Sequence, residues 1–321
     1  MLKNLLLLGC LGAFVLSSCS KKTTVSPAPQ NLKIVYNVLE NREKGDYDLY
    51  TMNLDGSSPM NITRHPDVAW TYYAWKYKLF FISDRDTCRR CYFLYESDPD
   101  GNRVRKVSNL RLEDSWMSSR NNGKEMIVSG RIGKEIRYQF FLVDVKTGAF
   151  RQITTDTAAV YSDPCFSPDG KQIVYRYKKS RRDRYEKAEL WLMNADGSGT
   201  PRQLTHYPPT DTTAEWHSYH AGPPHWNAQA GYITYQSLQE GKYSIYAVTL
   251  DGKRNFKLVE MPLEAGWHAW SPDGDWLVMD VFNHEQTTFD IWLWNRKTKS
   301  LKQLTDMERY EQSPVFVEKR K

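Results

Sequence analysis

Six recurrences of one pattern, two short strands over a tight turn followed by two more, predict an all-β fold: a six-bladed β-propeller. The turns are mostly Asp-Gly, and the end of the chain supplies the strand that the beginning lacks. The pattern is clearest over residues 161–205, which begin YSDPCFSPDGKQIVYRY and, after a polar insertion, continue AELWLMNADGSGTPRQLT. Each half alternates apolar and polar residues, is rich in β-branched and aromatic types, and turns on Asp-Gly, as a hairpin requires.

The chain opens with Lys3, an apolar run over residues 5–15, and Leu16-Ser17-Ser18-Cys19. A charged start, a run too short to span a bilayer and small residues before a cut describe a secretory signal peptide over residues 1–18. Small residues directly before a cysteine resemble the bacterial lipoprotein signal, which implies that Cys19 becomes the lipidated N-terminus. Several acyl chains would hold far more firmly than one. Residues 19–30, with lysines, Ser, Thr and prolines, read as a flexible tether. Ser20 rather than aspartate follows Cys19, so the same resemblance implies the outer membrane and leaves the leaflet open.

Residues 31–321 carry the repeats. Outer hairpins fall at 48–63, 93–108, 141–154, 190–205, 245–259 and 291–305, and inner turns at 75–77, 120–123, 167–170, 227–231 and 271–274. Five inner hairpins for six outer ones leave one to be assembled. Residues 312–317 (QSPVFV) match an innermost strand and residues 32–37 (LKIVYN) the strand that follows it. Pairing the two ends closes the ring and removes its exposed edges.

The motifs FSPDGKQIVY and LWLMNADGSGTPRQLT resemble the repeat of the TolB-type propellers, the periplasmic component of the Tol-Pal envelope system. The likeness covers essentially all of residues 31–321. It implies a periplasmic or envelope scaffold. The Tol component carries an α/β domain before its propeller; only the tether is expected here. The oligogalacturonate lyases are similar in repeat and carry a histidine-bound metal, which implies an alternative reading as a carbohydrate-active enzyme.

Long connections on a rigid scaffold are where function concentrates. The crossover after Thr205 (HYPPTDTTAEWHSYHAGPPHW) and the basic insertion of the fourth blade, residues 178–184, should rim the same end of the channel. Aligned inner turns place Tyr72, Trp116, Asp163, Trp267 and Ser313 at one position, with Trp70, Asp114, Tyr161 and Glu311 two residues earlier. The expected mouth is Trp70, Tyr72, Trp116, Tyr161, Asp163, Trp267 and Glu311. Aromatic faces suit sugar stacking or burial of a peptide's apolar side chains; they serve equally as filler between blades.

Of seven histidines, His206, His217, His220 and His225 lie in or beside the fifth crossover and His268 on the next innermost strand. His217, His220, His225 and His268 form the alternative metal set for a divalent ion, with Glu215 and Glu311 as alternative acids. Cys88 and Cys91, in the second turn of the second blade, read as a local disulfide, and Cys165 as a buried thiol.

A net charge of +6 is scattered and excludes an extended nucleic-acid surface. No Gly-x-Ser-x-Gly elbow and no glycine-rich phosphate loop occur. The leading expectation is a non-catalytic propeller without cofactor, lipid-anchored in the envelope, that holds a protein or peptide at its channel mouth. The alternative partner is an acidic oligosaccharide.

Overall fold

The structure, a computed structural model, describes residues 29–207, 211, 214–306 and 309–320. Cys19 and the predicted leader lie outside them. Six antiparallel sheets surround a central channel, confirming the six-bladed propeller. Blade 1 joins the two ends of the chain: Glu311–Glu318 is its innermost strand, paired with Leu32–Asn41, then Asp46–Asn53 and Met60–Asn61. Leu32 faces Glu318 and Val38 faces Glu311, so the closing pair is antiparallel along its whole length.

Blades 2, 4 and 6 run from inside outward in sequence order; their innermost strands are Ala69–Trp75, Val160–Phe166 and Glu264–Trp270. Blade 3 departs from this. Arg111–Leu112 and Ser118–Arg120 both pair with Glu125–Ile132, and residues 113–117 leave the sheet between them. Its inner turn holds Asn121 and Asn122 at φ 55° and 59°, and Gly123 packs so tightly on blade 2 that a Cβ there would lie 2.3 Å from Trp75 Cδ1. In blade 5 the innermost strand shrinks to His225–Asn227, because the long crossover occupies the space before it.

The core is divided among the seams. Phe80, Leu94, Phe141 and Val143 fill the seam of blades 2 and 3, and Ile127, Phe140, Ile173 and Tyr175 that of blades 3 and 4. Each such side chain contributes roughly 1.5–3 kcal/mol by leaving water. A threonine that ends four of the outer hairpins fastens them to their blades. In blades 1, 3, 4 and 6, Thr63, Thr154, Thr205 and Thr305 each accept, through Oγ1, a main-chain N–H of the third strand (Leu49, Phe140, Leu190 and Ile291) at 2.8–2.9 Å.

Candidate functional site

The innermost strands carry register shifts at corresponding places: between Thr71 and Tyr73, Ser162 and Cys165, and Ala265 and His268, and opposite Val35–Asn37 in the closing strand. A bulge bends a strand and re-aims its side chains. Here it turns Tyr72, Asp163 and Trp267 to the channel. Trp116 joins them from the detour of blade 3. With Trp70 and Asp114 they form the inner part of a cavity of about 530 Å³, whose outer wall is Arg176, Lys178, Trp216, His217 and His220.

The aromatic rings meet across the axis. Trp267 lies edge-on to Trp70 with centroids 5.7 Å apart and tilts against Trp116 at 5.2 Å, while Tyr72 sits 4.4 Å from Trp116. Tyr72 and Trp116 also line a second, wider cavity of about 700 Å³ that opens at the end bearing the inner turns. The cluster is therefore a partition, with a looped mouth on one side and a funnel on the other.

The acids at the mouth are engaged. Asp163 accepts the N–H of Trp116 at 2.9 Å and the hydroxyl of Ser115 at 3.1 Å, and pairs with Arg176 at 2.7 Å. Asp114 accepts the hydroxyl of Tyr72. Burial raises the Asp114 carboxyl, and burial together with the Asp114 charge raises the Tyr72 phenol far above its usual range.

Both long connections rim this end, as expected from strand order. The insertion of blade 4 is folded on itself: the Glu186 carboxylate accepts the N–H groups of Lys179 and Ser180, and Lys178 donates to the Asp183 carbonyl. It leans on the fifth crossover through Lys187, which donates to the carbonyls of Glu215 and Trp216, and through Arg184, whose guanidinium lies 5.7 Å from the Trp216 ring. Trp216 and Tyr185 are left 52% and 66% exposed at the rim, which is unusual for rings of this size.

The histidines are divided. His217 and His220 line the mouth. His217 pairs with Glu215 at 3.2 Å. His220 accepts the Ala188 N–H through Nδ1 and contacts the Trp216 carbonyl through Nε2 at 2.9 Å, which fixes a neutral tautomer; burial lowers it to about 4. His225 and His268 instead meet at a tilt in the seam of blades 5 and 6, centroids 4.8 Å apart, with His268 Nε2 2.9 Å from Thr234 Oγ1. Burial lowers His225 to about 4 and, with the neighbouring His225, holds His268 well below the usual histidine range. Among the described residues no group of three or more His, Cys, Asp or Glu side chains is placed to hold a metal ion. His206 is exposed at the start of the crossover.

Two expected mouth residues are placed elsewhere. Tyr161 packs in the seam of blades 3 and 4 against Phe140, Tyr175 and Tyr177, and Glu311 is fully buried, its carboxyl raised to about 7 mainly by desolvation. Tyr161 is taken up by the aromatic seam and Glu311 by the closing ladder opposite Val38, whereas Trp70, at the same place before its own bulge, reaches the cavity. Ser313 is also buried, its N–H held by Asp280. Cys88 and Cys91 are joined as a disulfide in the second turn of blade 2, Cα atoms 5.2 Å apart, and Cys165 is a free thiol raised to about 12 by burial.

Arg176, Gln236 and Trp216 line the mouth without having been expected there. Arg176 and Gln236 carry a signal in the sequence. They are the polar fourth residue of IVYR and ITYQ, and the same place is Asn37 in IVYN, Ser129 in MIVS and Asp280 in LVMD.

No protein-family model matches the chain. Among solved structures it resembles TolB from Acinetobacter baumannii, with a TM-score of 0.67 at 16% identity over 88% of this chain and 66% of that one. It also resembles an oligogalacturonate lyase from Vibrio parahaemolyticus, with a TM-score of 0.53 at 14% identity over 86% of this chain and 79% of that one. Among curated proteins, dipeptidyl-peptidase 5 of Porphyromonas endodontalis is 30% identical over 113 residues, 35% of this chain and 15% of that protein. The chain thus spans about a seventh of that peptidase, and the fold is the six-bladed propeller of the TolB structures.

Proposed function

We propose that this chain is a cell-envelope lipoprotein, anchored at Cys19, whose propeller is a non-catalytic scaffold that holds an extended protein segment at the looped mouth. One observation carries the reading: Asp114, Asp163 and His220 of the mouth are committed to structure, while the Trp216 ring at its rim stands 52% exposed. Both nitrogens of His220 are taken by main chain, and Asp163 is shared between blades and Arg176. What remains for a ligand is the exposed Trp216, the edges of the indoles that border the cavity, and the further N–H donors of Arg176 and Lys178 beyond those spent on Asp163 and Asp183. Such a surface buries apolar side chains and answers a carboxylate. The likeness to TolB supports the scaffold reading at the level of fold.

The test is cross-linking of the lipidated protein in native membranes, with wild type beside a Trp216→Ala, His217→Ala variant whose changes lie at the rim. A partner captured by wild type and lost in the variant supports the reading. Equal capture by both sinks the mouth as the binding surface.

A second reading, lyase or hydrolase action on an acidic oligosaccharide, is favoured by the shared cavity of His217, Arg176 and Lys178. Cleavage of polygalacturonate by wild type, with or without added manganese, and its loss in His217→Ala would install it over the first.

A further inference from the structure

We infer that the face opposite the looped mouth docks on anionic lipid headgroups, through a basic cleft between blades 2 and 3. The cleft, about 880 Å³, is lined by Lys76, Lys78, Arg105, Lys124 and Lys146 around the rings of Trp75 and Tyr77. Two of these cations are already answered: Glu96 pairs with Lys78 at 3.0 Å and Arg105 at 2.8 Å. Lys76, Lys124 and Lys146 are exposed and have no ion pair among the described residues. The acid in the lining of the cleft, Asp144, spends one carboxylate oxygen on the Thr147 N–H and hydroxyl. Tyr77 stands 48% exposed at the edge of the cleft, an amphipathic ring suited to the headgroup level.

The way the chain enters the fold selects the occupant. Lys319 N donates to the Asn31 carbonyl at 2.7 Å, and Glu318 N donates to the Lys76 carbonyl at 2.8 Å. The point where the N-terminal segment joins the ring is therefore one strand end away from the cleft. The inner turn carrying Lys76 and the inner turn carrying Lys124 lie on that same face, while Trp216 and the basic insertion lie on the other. For its orientation the inference rests on the tethered-scaffold reading: the short segment between Cys19 and Pro29 would hold this face, rather than the mouth, toward the membrane. A cluster of lysines beside an anchor point attracts anionic lipid, each lysine strengthening partition about fivefold. The mouth is then left open to partners.

Among the described residues all strands lie between Leu32 and Glu318, so the chain from Ser20 onward carries the six sheets and can be tested without its lipid. Sedimentation with phosphatidylcholine vesicles containing about 30 mol % phosphatidylglycerol, an anionic surface, should pull down this protein, and pure phosphatidylcholine vesicles should not. Lys76→Glu, Lys124→Glu, Lys146→Glu should weaken binding on the order of a hundredfold. A control with the same charge change on blades 4 and 5, Lys171→Glu, Lys253→Glu, Lys257→Glu, should change it only a few fold. Equal loss in both variants overturns the cleft in favour of diffuse charge. Binding no better to anionic than to neutral vesicles overturns the inference outright, as does release from the vesicles by millimolar inorganic phosphate at constant ionic strength. The anchor is read separately, by fatty-acid labelling of wild type against Cys19→Ser, so either idea can fail alone.

Discussion

Asp280, on the second strand of blade 6, accepts the main-chain N–H of Ser313 at 2.8 Å and that of Trp267 at 2.9 Å, tying the last strand of the chain to the blade before it. The closing strand is held to blade 1 by its ladder and to blade 6 by this carboxyl. Asp280 is 1% exposed and its carboxyl is raised to about 7 by desolvation.

Asp280→Ala leaves two buried donors without an acceptor and should cost about 3 kcal/mol in urea unfolding. The pH dependence has a definite sign. The folded carboxyl keeps its proton up to about 7, whereas the unfolded chain releases it near pH 4. Its contribution is full below about pH 4 and falls as pH rises through 7. Asp280→Asn, which retains an acceptor, should lose less stability and flatten that slope between pH 4 and 7. An unchanged slope would assign it to other groups.

The seam of blades 5 and 6 titrates in the opposite direction. His225 is lowered to about 4 by burial against His268, while an unfolded histidine titrates near 6.5. Its contribution is full above about pH 6.5 and is lost as pH falls toward 4. Wild type should therefore unfold at lower urea at pH 5 than His225→Gln, relative to each protein at pH 7. Parallel curves for the two proteins would remove His225 as the sensitive group.

The blade count, the closure by the chain ends and the end of the channel that carries the long loops were legible because each rests on local signals: Asp-Gly turns, alternation, and loop length. The mouth was legible in part. Trp70, Tyr72, Trp116, Asp163 and Trp267 line it, but Tyr161 and Glu311 do not, since spacing cannot tell that Tyr161 is drawn among the rings of the seam of blades 3 and 4 and Glu311 into the closing ladder, while Trp70 at the same place stays at the cavity. The second-strand position is also visible in the sequence, as a polar residue after three apolar ones. Asn37 bonds the main chain of Thr71, Ser129 the carbonyl of Tyr161, and Asp280 the N–H of Ser313, so in blades 1, 3 and 6 that position is a clasp between blades, while Arg176 turns to Asp163 within its own blade.

The outer-hairpin threonines offer a simpler test of repeat logic. Thr305 Oγ1 accepts the Ile291 N–H at 2.8 Å in a buried setting. Thr305→Val keeps the shape and removes the acceptor, so stability should fall by roughly 1–3 kcal/mol. Thr305→Ser should recover most of it. A loss in Thr305→Ser with little in Thr305→Val would point to packing of the methyl group instead.

The aromatic partition can be tested by opening it. Trp267 contacts Trp70 and Trp116 from across the axis, and removal of its indole joins the mouth to the funnel below. Because Trp267 is only partly buried, Trp267→Ala should cost less than the roughly 3–5 kcal/mol of a fully buried indole. The expected signature is optical: acrylamide should quench the fluorescence of the remaining tryptophans more strongly, since Trp70 and Trp116 gain a path to solvent from both ends. Trp267→Phe should keep most of the shielding. If quenching is unchanged in Trp267→Ala, the neighbouring rings have closed over the gap, and the partition does not depend on this residue.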